Sequence, residues 1–460
     1  MKITCCCCPK SRQKDDHQNR AEFEIGSAKG NRLTVIVAHY NPQKFNRRAQ
    51  LVNECLQRLS ETKTRLAVDS TFELNIVATE LIYCDDPSDQ VQSEISPLQN
   101  VQIVSTVVPS GQVMWSKEQL INLVLRDLPE DEQYVAWIDS DVAFTDDSWV
   151  SNAILKLSLH PLAFGQLWST CDMLGPDARV QKGTTVKSFA QQKEEGKSYI
   201  SCSNRQVNDY WHPGFAWCAT VEALKRTNFL IDKTLGSADR HMAMSFLGRA
   251  AETVPDNIHV NYKHHILAWE KSVLENDIAL ILIPNHIVHH WHGSLKHRAY
   301  MGRWGLLAKH RFDPSRHLLW NQQKGLYYWD PSCPLELQEE IVEYFQNRRE
   351  DSYENESDDD GDRDGVGGRY ILDSVFGYFQ NREKGSAKNK DIGGKNGDGN
   401  GSILDTIAGY FQNSDGECGQ EIALDVHSDN AVILEGSATA EGCSEGLPTA
   451  ADLSSLDYYA

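Results

Sequence analysis

Short apolar runs alternate with amphipathic stretches through the first third of the chain. The run at 33–38 is rich in β-branched residues, which is typical of a strand buried on both faces of a sheet. The same reading predicts strands at 72–77, 101–108 and 134–138 and helices at 45–59 and 117–128. Strands that alternate with helices at this spacing indicate parallel strands joined by right-handed crossovers.

The pattern is less regular after residue 150. It predicts strands near 162–167 and 279–283 and helices near 221–226 and 238–247. We therefore predict one α/β domain over 31–320 and a closing segment over 321–350. The predicted fold class is α/β, with a Rossmann-like mixed sheet flanked by helices.

Both ends of the chain differ in composition from this body. Residues 351–460 contain 23 Asp and Glu against 7 Lys and Arg, so this tail carries most of the net charge of −20. The tail is poor in large apolar residues and is predicted to be disordered. Residues 1–30 are predicted to be a flexible leader. Its four consecutive cysteines, Cys5 to Cys8, are either S-acylated, which would provide peripheral membrane contact, or unmodified.

The tail also contains an internal repeat. An apolar stripe that ends in Tyr-Phe-Gln-Asn occurs at 371–381 and 403–413, and a divergent copy occurs at 337–347. The apolar positions of each copy fall on one side of a helix. We predict short helices that fold onto a protein partner or onto the body itself. Duplication without a function would leave the same pattern.

Composition excludes several classes of protein. No apolar run reaches the ~20 residues that span a bilayer, and no secretory signal follows Met1. The body outside the tail is nearly neutral, so we expect no binding to nucleic acid through bulk electrostatics. The cysteines lack zinc-site or disulfide spacing, which fits a reducing compartment. A cytoplasmic or peripherally membrane-bound protein is predicted.

Two acidic residues follow the predicted strand 134–138. Asp139 and Asp141 are two positions apart, so their side chains would project to the same side of an extended chain. Open α/β sheets bind ligands at the carboxyl ends of their strands. Two hard oxygen ligands suit Mg²⁺ or Mn²⁺ carrying a diphosphate. The alternative is a pair of solvated loop acids.

A second group of metal-binding residue types occurs at 287–296. Three histidines in four residues precede Gly293 and Lys296. Imidazole is an acceptable partner to carboxylates for Mn²⁺, and the lysine would put an ammonium on a phosphate. The alternative is a surface cluster or a set of structural histidines.

Together with the loop 37–42, these motifs resemble the nucleotide-sugar glycosyltransferases of the GT-A fold. The segment from His290 to Lys296 resembles the His-x-x-Gly-x-x-Lys motif of the glycogenin-like family 8 glycosyltransferases, although the next two residues differ from the family's Pro-Trp. The resemblance implies a GT-A fold over 31–320 and Mn²⁺ or Mg²⁺ as the cofactor. It implies sugar transfer from a nucleoside diphosphate sugar, with UDP-sugars favoured, to a glycan, protein or small-molecule hydroxyl.

The resemblance also assigns roles to individual residues. It assigns the metal ion to Asp139, Asp141 and His290, with His292 as the alternative third ligand. Lys296 would hold the diphosphate. The remaining donor-binding residues would be His39, Tyr40, Asn41, Asp85 (or the adjacent Asp86) and Lys117.

Two further segments are candidates for the acceptor side. Trp211 and Gly214 lie in an aromatic stretch, which either stacks on a sugar ring or belongs to the core. Asp239 opens a predicted helix and resembles the acidic segment where inverting GT-A enzymes place their general base. It would otherwise only complement the helix dipole. Inversion and retention of the configuration at the anomeric carbon both stay open. The resemblance of 290–296 to the family 8 motif favours retention, whereas a general base at Asp239 implies inversion.

Two other functions are compatible with these residues. A metallohydrolase would use the same Asp and His ligands without a sugar donor. A catalytically inactive nucleotide-sugar-binding or scaffold protein would recruit partners through the tail repeats. The leading prediction is the metal-dependent glycosyltransferase.

Overall fold

The predicted alternation of strands and helices is present in the computed structural model, which describes residues 30–86, 92–181, 184–199, 211–255, 257–298 and 302–352, without the side chains of Asp69, Leu295 and Lys296. The strands are β1 (Arg32–Tyr40), β2 (Glu73–Tyr83), β3 (Gln102–Val108), β4 (Tyr134–Ile138), β5 (Val142–Phe144), β6 (Ala163–Gln166), β7 (Thr170–Met173), β8 (Val186–Lys187), β9 (Ala216–Thr220), β10 (Ala279–Leu282), β11 (His286–His289), β12 (Leu318–Asn321) and β13 (Leu326–Trp329). The helices are α1 (Asn46–Asp69), α2 (Lys117–Arg126), α3 (Ser148–Ser158), α4 (Phe189–Glu194), α5 (Val221–Arg226), α6 (Ala238–Ser245), α7 (Val260–Glu275), α8 (Leu295–Arg298), α9 (Gly302–Lys309), α10 (Pro314–His317) and α11 (Leu335–Gln346).

The central sheet has seven strands in the order β10-β6-β9-β4-β1-β2-β3. β1 pairs in parallel with β2 and β4, β3 pairs in parallel with β2, and β10 pairs in parallel with β6. β9 runs antiparallel to both β4 and β6, so the sheet is mixed. Helices pack on both faces of the sheet. The predicted α/β class, with a mixed sheet flanked by helices, is confirmed.

β1 is buried on both faces of this sheet. Leu33, Val35 and Val37 belong to a core shared with α1 and α3, whereas Ile36 belongs to a core shared with α2 and α11. A β-branched strand can serve both cores because successive side chains point to opposite faces. Burial of each large apolar side chain contributes about 1.5–3 kcal/mol, so β1 anchors the centre of the sheet.

A second, four-stranded sheet has the order β5-β11-β7-β8, and its strand β5 follows β4 closely in the chain. β11 pairs antiparallel with β5, with His289 opposite Val142, and parallel with β7. A hydrogen bond of 2.7 Å from the backbone nitrogen of His290 to the carbonyl of Asp141 continues this ladder. The pairing of β5 with β11 therefore brings the late histidines to the Asp-x-Asp segment.

The repeat copy at 337–347 forms most of α11, and its apolar stripe is buried against the body. Leu337, Ile341 and Phe345 are at most 3% exposed. The ring of Trp115 contacts both Tyr344 and Phe345, with centroids 4.9 Å apart in each case. This copy folds onto the body, which is one of the two predicted alternatives. The copies at 371–381 and 403–413, the rest of the tail and Cys5 to Cys8 lie outside the described residues.

Two features of the described residues relate to the sequence predictions on cysteine pairing and on membrane-spanning segments. The described cysteines that are free are Cys55, Cys84, Cys171, Cys218 and Cys333. In the described part of the chain, no helix combines the length and the apolar character needed to cross a bilayer.

Candidate functional site

A carboxylate and two imidazoles meet just beyond the carboxyl end of β4. Oδ2 of Asp141 lies 2.7 Å from Nε2 of His292 and 3.6 Å from Nε2 of His289. One ligand atom from each of the three residues lies within 4.8 Å of the others. A single metal ion can be shared at these separations, because metal bonds to oxygen and nitrogen are about 2.0–2.6 Å long.

The hydrogen bonding of this group leaves donor atoms for a cation. Oδ1 of Asp141 is buried and has no hydrogen-bond partner among the described residues. Leaving such an atom unsatisfied costs about 1–3 kcal/mol, and a metal ion would satisfy it. Two imidazoles and one carboxylate suit a transition-metal ion better than Mg²⁺, which prefers oxygen ligands. The residues present therefore fit a divalent transition metal.

The protonation states of the group also suit metal binding. Burial opposes charge on Asp141, but His289 and His292 outweigh it and hold the pKa of this carboxyl well below its ordinary value. Burial lowers the pKa of His289 to about 4 against the attraction of Asp141. Near pH 7 the carboxyl is ionised and the imidazole of His289 is neutral, which are the forms that bind metals.

His290, which the sequence motif favoured as third ligand, does not contribute its imidazole to this group. Its ring lies near α1, where burial and Arg58 lower its pKa. Along β11 the side chains of Ile287 and His289 are buried, while that of Val288 between them is only partly buried. Strand alternation therefore turns His289 and His290 to opposite sides. Sequence analysis missed His289, although its spacing of two from Ile287 was a usable signal.

Asp139 lies beside this group and pairs with Lys117. Nζ of Lys117 donates a hydrogen bond of 3.1 Å to Oδ1 of Asp139 and lies 3.8 Å from Glu118. Lys117 begins α2 and Asp139 follows β4, so a helix N-terminus and a strand end converge here. Burial raises the pKa of Asp139 in spite of Lys117, and repulsion from Asp141 and Asp239 adds to the rise.

Asp239 and His212 lie close over Gly214. A methyl group on Gly214 would stand 3.0 Å from Oδ2 of Asp239 and 3.2 Å from Cε1 of His212. Burial lowers the pKa of His212 to about 4, so this imidazole is neutral beside the Asp239 carboxylate. Asp239 lies in the first turn of α6, which follows Ser237 in a left-handed conformation with φ of 67°. An acid and a neutral imidazole thus cover Gly214.

The strand end and loop at 39–41 contact other parts of the chain. Nε2 of His39 and Nδ2 of Asn41 lie 2.8 and 2.9 Å from the same oxygen of Glu94. Tyr40 is buried. Its ring is edge-on to that of Phe345, and the guanidinium of Arg48 lies 5.4 Å from its centroid. These contacts connect the loop to 92–100 and to α11.

The other predicted site residues have the following surroundings. Asp85 accepts a hydrogen bond of 2.8 Å from the backbone of Ser110 and so connects the loops after β2 and β3. Trp211 is buried, with its ring centroid 5.0 Å from that of Phe189, so its contacts are those of a core residue. The side chain of Lys296 lies outside the described residues.

Solved structures similar to this chain include two of Drosophila β-1,4-galactosyltransferase 7. One is a mutant in complex with manganese, UDP-Gal and xylobiose, with 10% identity, a TM-score of 0.27 and coverage of 55% of this chain and 65% of that chain, just under two thirds of its length. The other is the catalytic domain in complex with xylobiose, with 9% identity, a TM-score of 0.30 and coverage of 68% and 98%. No protein-family model and no curated protein sequence matches this chain.

Proposed function

We propose that this protein is a divalent-metal-dependent glycosyltransferase that moves a sugar from a nucleoside diphosphate sugar to a hydroxyl acceptor. The observation that carries the proposal is the group of Asp141, His289 and His292 at the end of β4, beside the pair of Asp139 and Lys117. Carboxyl ends of strands are the general ligand sites of open α/β sheets. The resemblance of the Asp-x-Asp and late histidine motifs to GT-A enzymes supports the same function.

Three residues of the chain would hold the metal ion. They are Asp141, His289 and His292, and the imidazoles favour Mn²⁺ over Mg²⁺. The bound ion would supply positive charge for the diphosphate of the donor. The ammonium of Lys117, now shared with Asp139, would pair with a phosphate oxygen of the same group.

Asp239 would act as the general base. Its carboxylate lies close to Gly214 and would accept the proton of the acceptor hydroxyl. The acceptor oxygen then attacks C1 of the sugar, and the bond from C1 to the diphosphate oxygen breaks. The electron pair of that bond stays on the leaving phosphate, where Lys117 stabilises the developing charge. Direct displacement inverts the anomeric centre, so inversion is the expected outcome.

A metal-dependent hydrolase is a second candidate. Two imidazoles and one carboxylate form a donor set that hydrolytic zinc sites also use. Such an enzyme would need no acceptor other than water, and the acceptor dependence of the reaction therefore separates the two candidates.

A donor screen tests the proposal. Purified full-length protein is incubated with Mn²⁺ and a panel of UDP- and GDP-sugars, and release of nucleoside diphosphate is followed with and without a mixture of glycan, peptide and small-molecule acceptors. The proposal predicts release that requires an acceptor and stops on addition of EDTA. Release at the same rate without an acceptor favours the hydrolase. Absence of release with every donor contradicts the proposal.

A further inference from the structure

Residues 348–352, here called the C-terminal segment, contact the candidate metal centre through Glu350. Oε2 of Glu350 lies 3.6 Å from Nδ1 of His292, and the other ring nitrogen of His292 lies 2.7 Å from Asp141. The imidazole of His292 therefore stands between two carboxylates, one at each nitrogen. The side chain of Glu350 is 1% exposed, so water does not compete for its oxygens.

Two guanidinium groups hold the carboxylate of Glu350. Arg48 of α1 donates hydrogen bonds of 2.6 and 2.9 Å to its two oxygens, and Nε of Arg348 lies 2.7 Å from Oε1. A bidentate guanidinium pair fixes the plane and position of a carboxylate as well as its charge. Glu350 therefore presents a fixed oxygen to His292.

The backbone of the C-terminal segment is fitted closely to the histidine loop. Gly293 has φ of 87°, and a Cβ atom there would lie 3.1 Å from the carbonyl of Arg349 and from Cα of Glu350. Nε1 of Trp291 donates a hydrogen bond of 3.3 Å to the carbonyl of Ser352. Only glycine combines this conformation with this approach of a second backbone.

The segment is also attached to the start of α1. Asp351 accepts hydrogen bonds of 3.0 and 2.7 Å from the backbone nitrogens of Asn46 and Arg47. The helix obtains no such bond from the side chain of its own N-cap residue, Phe45. An acid from the far end of the chain thus caps α1 and holds Glu350 in place.

We propose that Glu350 is a positioning residue of the metal centre, which acts through His292 and orients its imidazole towards the cation. This inference rests on the proposed metal site. Metal-bound histidines usually place their second ring nitrogen against a carboxylate, carbonyl or water, which fixes the orientation of the ring. Glu350 occupies that position for His292. The functional unit then includes the closing segment predicted over 321–350 and extends through residue 352.

The affinity of the metal-free protein for Mn²⁺ tests this role. The full-length chain is stripped with EDTA, and free Mn²⁺ is measured during titration by electron paramagnetic resonance. Glu350→Gln should raise the dissociation constant by about 10–100-fold. Glu340→Gln is the matched control, because Glu340 also pairs with an imidazole, that of His310 at 3.1 Å, and with Lys309, but belongs to α11. The control should bind Mn²⁺ as the wild type does.

The outcomes separate this inference from the proposed function. A wild-type protein that does not bind Mn²⁺ overturns the metal centre and with it the role of Glu350. A wild-type protein that binds, with an unchanged constant in Glu350→Gln, overturns the role of Glu350 alone.

Glu350→Asp decides the matter if Glu350→Gln does not fold, as judged by circular dichroism. It keeps the negative charge for Arg48 and Arg348 but withdraws the carboxylate from His292 by about one carbon–carbon bond. We expect weaker Mn²⁺ binding than in the wild type, and an equal affinity would overturn the proposal.

Discussion

Oδ2 of Asp141 lies 2.7 Å from Nε2 of His292, although the two residues are 151 positions apart in the sequence. The contact depends on the antiparallel pairing of β5 with β11, which sets His289 opposite Val142. The candidate metal centre is therefore a product of the second sheet, which joins the end of β4 to the histidine loop.

The first prediction concerns which histidines bind the metal. His289→Ala should weaken Mn²⁺ binding by more than the ~10–100-fold typical of the loss of an outer-shell partner, because His289 supplies a ligand atom. His290→Ala should leave the dissociation constant unchanged, since its ring lies near α1. Isothermal titration calorimetry on both variants measures the difference. A larger loss in His290→Ala would show that the sequence motif, and not the geometry, identifies the ligand.

The second prediction concerns the close approach of Asp239 to Gly214. Gly214→Ala would put a methyl group 3.0 Å from the carboxylate of Asp239, so we expect the acceptor KM to rise or kcat to fall while the protein still folds. Gly111→Ala is the control, because nothing lies within 4 Å of its added methyl group. Steady-state kinetics with varied acceptor compare the two. Equal kinetic constants in the two variants would show that Gly214 and Asp239 do not belong to the acceptor site.

The third prediction concerns the cap that Asp351 provides to α1. Asp351→Ala removes both hydrogen bonds to the helix N-terminus and should lower the free energy of unfolding by about 0.5–2 kcal/mol. Glu61→Ala, on the exposed middle of the same helix, should change it by less than about 0.5 kcal/mol. Urea unfolding followed by circular dichroism gives both values. If the two variants were equally stable, the C-terminal segment would not contribute to the fold.

The fourth prediction concerns the pH dependence of stability at Glu118. Burial raises the pKa of this carboxyl from 4.5 to about 7, in spite of Lys117. Glu118 therefore binds its proton more tightly in the folded state than in the unfolded state. The stability that this proton contributes is lost as the pH rises from 4.5 to 7. At pH 8 the free energy of unfolding of Glu118→Gln, measured with urea, should exceed that of the wild type by up to about 3 kcal/mol. This difference should disappear near pH 5.

The control for this experiment is Glu130→Gln, in an exposed loop. It should follow the wild type at both pH values. A gap between Glu118→Gln and the wild type that is the same at pH 5 and pH 8 would mean that Glu118 is not protonated in the folded state near neutral pH.

Local sequence signals predicted the first half of the fold well. The run Tyr134–Ile138 is a strand with acids at its end, because an unbroken apolar run specifies a strand without help from distant residues. The sequence pattern predicts no strand at β9. Its residues Ala216–Thr220 include small side chains with weak strand preference, and its direction is set by pairing with β4 and β6 on either side.

The site was harder to predict, because its contacts are long-range. In the short strand β11 the spacing of two between Ile287 and His289 is the only periodic signal, and the family motif points to His290 instead. Glu350 borders the acidic tail, and nothing in the sequence around it distinguishes it from the acids of that tail. Its role depends on Arg48 and His292, which no local pattern connects to it.

The central claim is that a cation held at Asp141 drives departure of a nucleoside diphosphate from a sugar. The most direct measurement compares Mn²⁺-dependent turnover of the best donor and acceptor in Asp141→Asn and Asp172→Asn. Asp172 also forms an Asp–His pair in the second sheet, with His286 at 3.3 Å, but stands outside the metal group. We predict loss of Mn²⁺-dependent turnover in Asp141→Asn and wild-type turnover in Asp172→Asn. Full Mn²⁺-dependent turnover in Asp141→Asn would contradict the account.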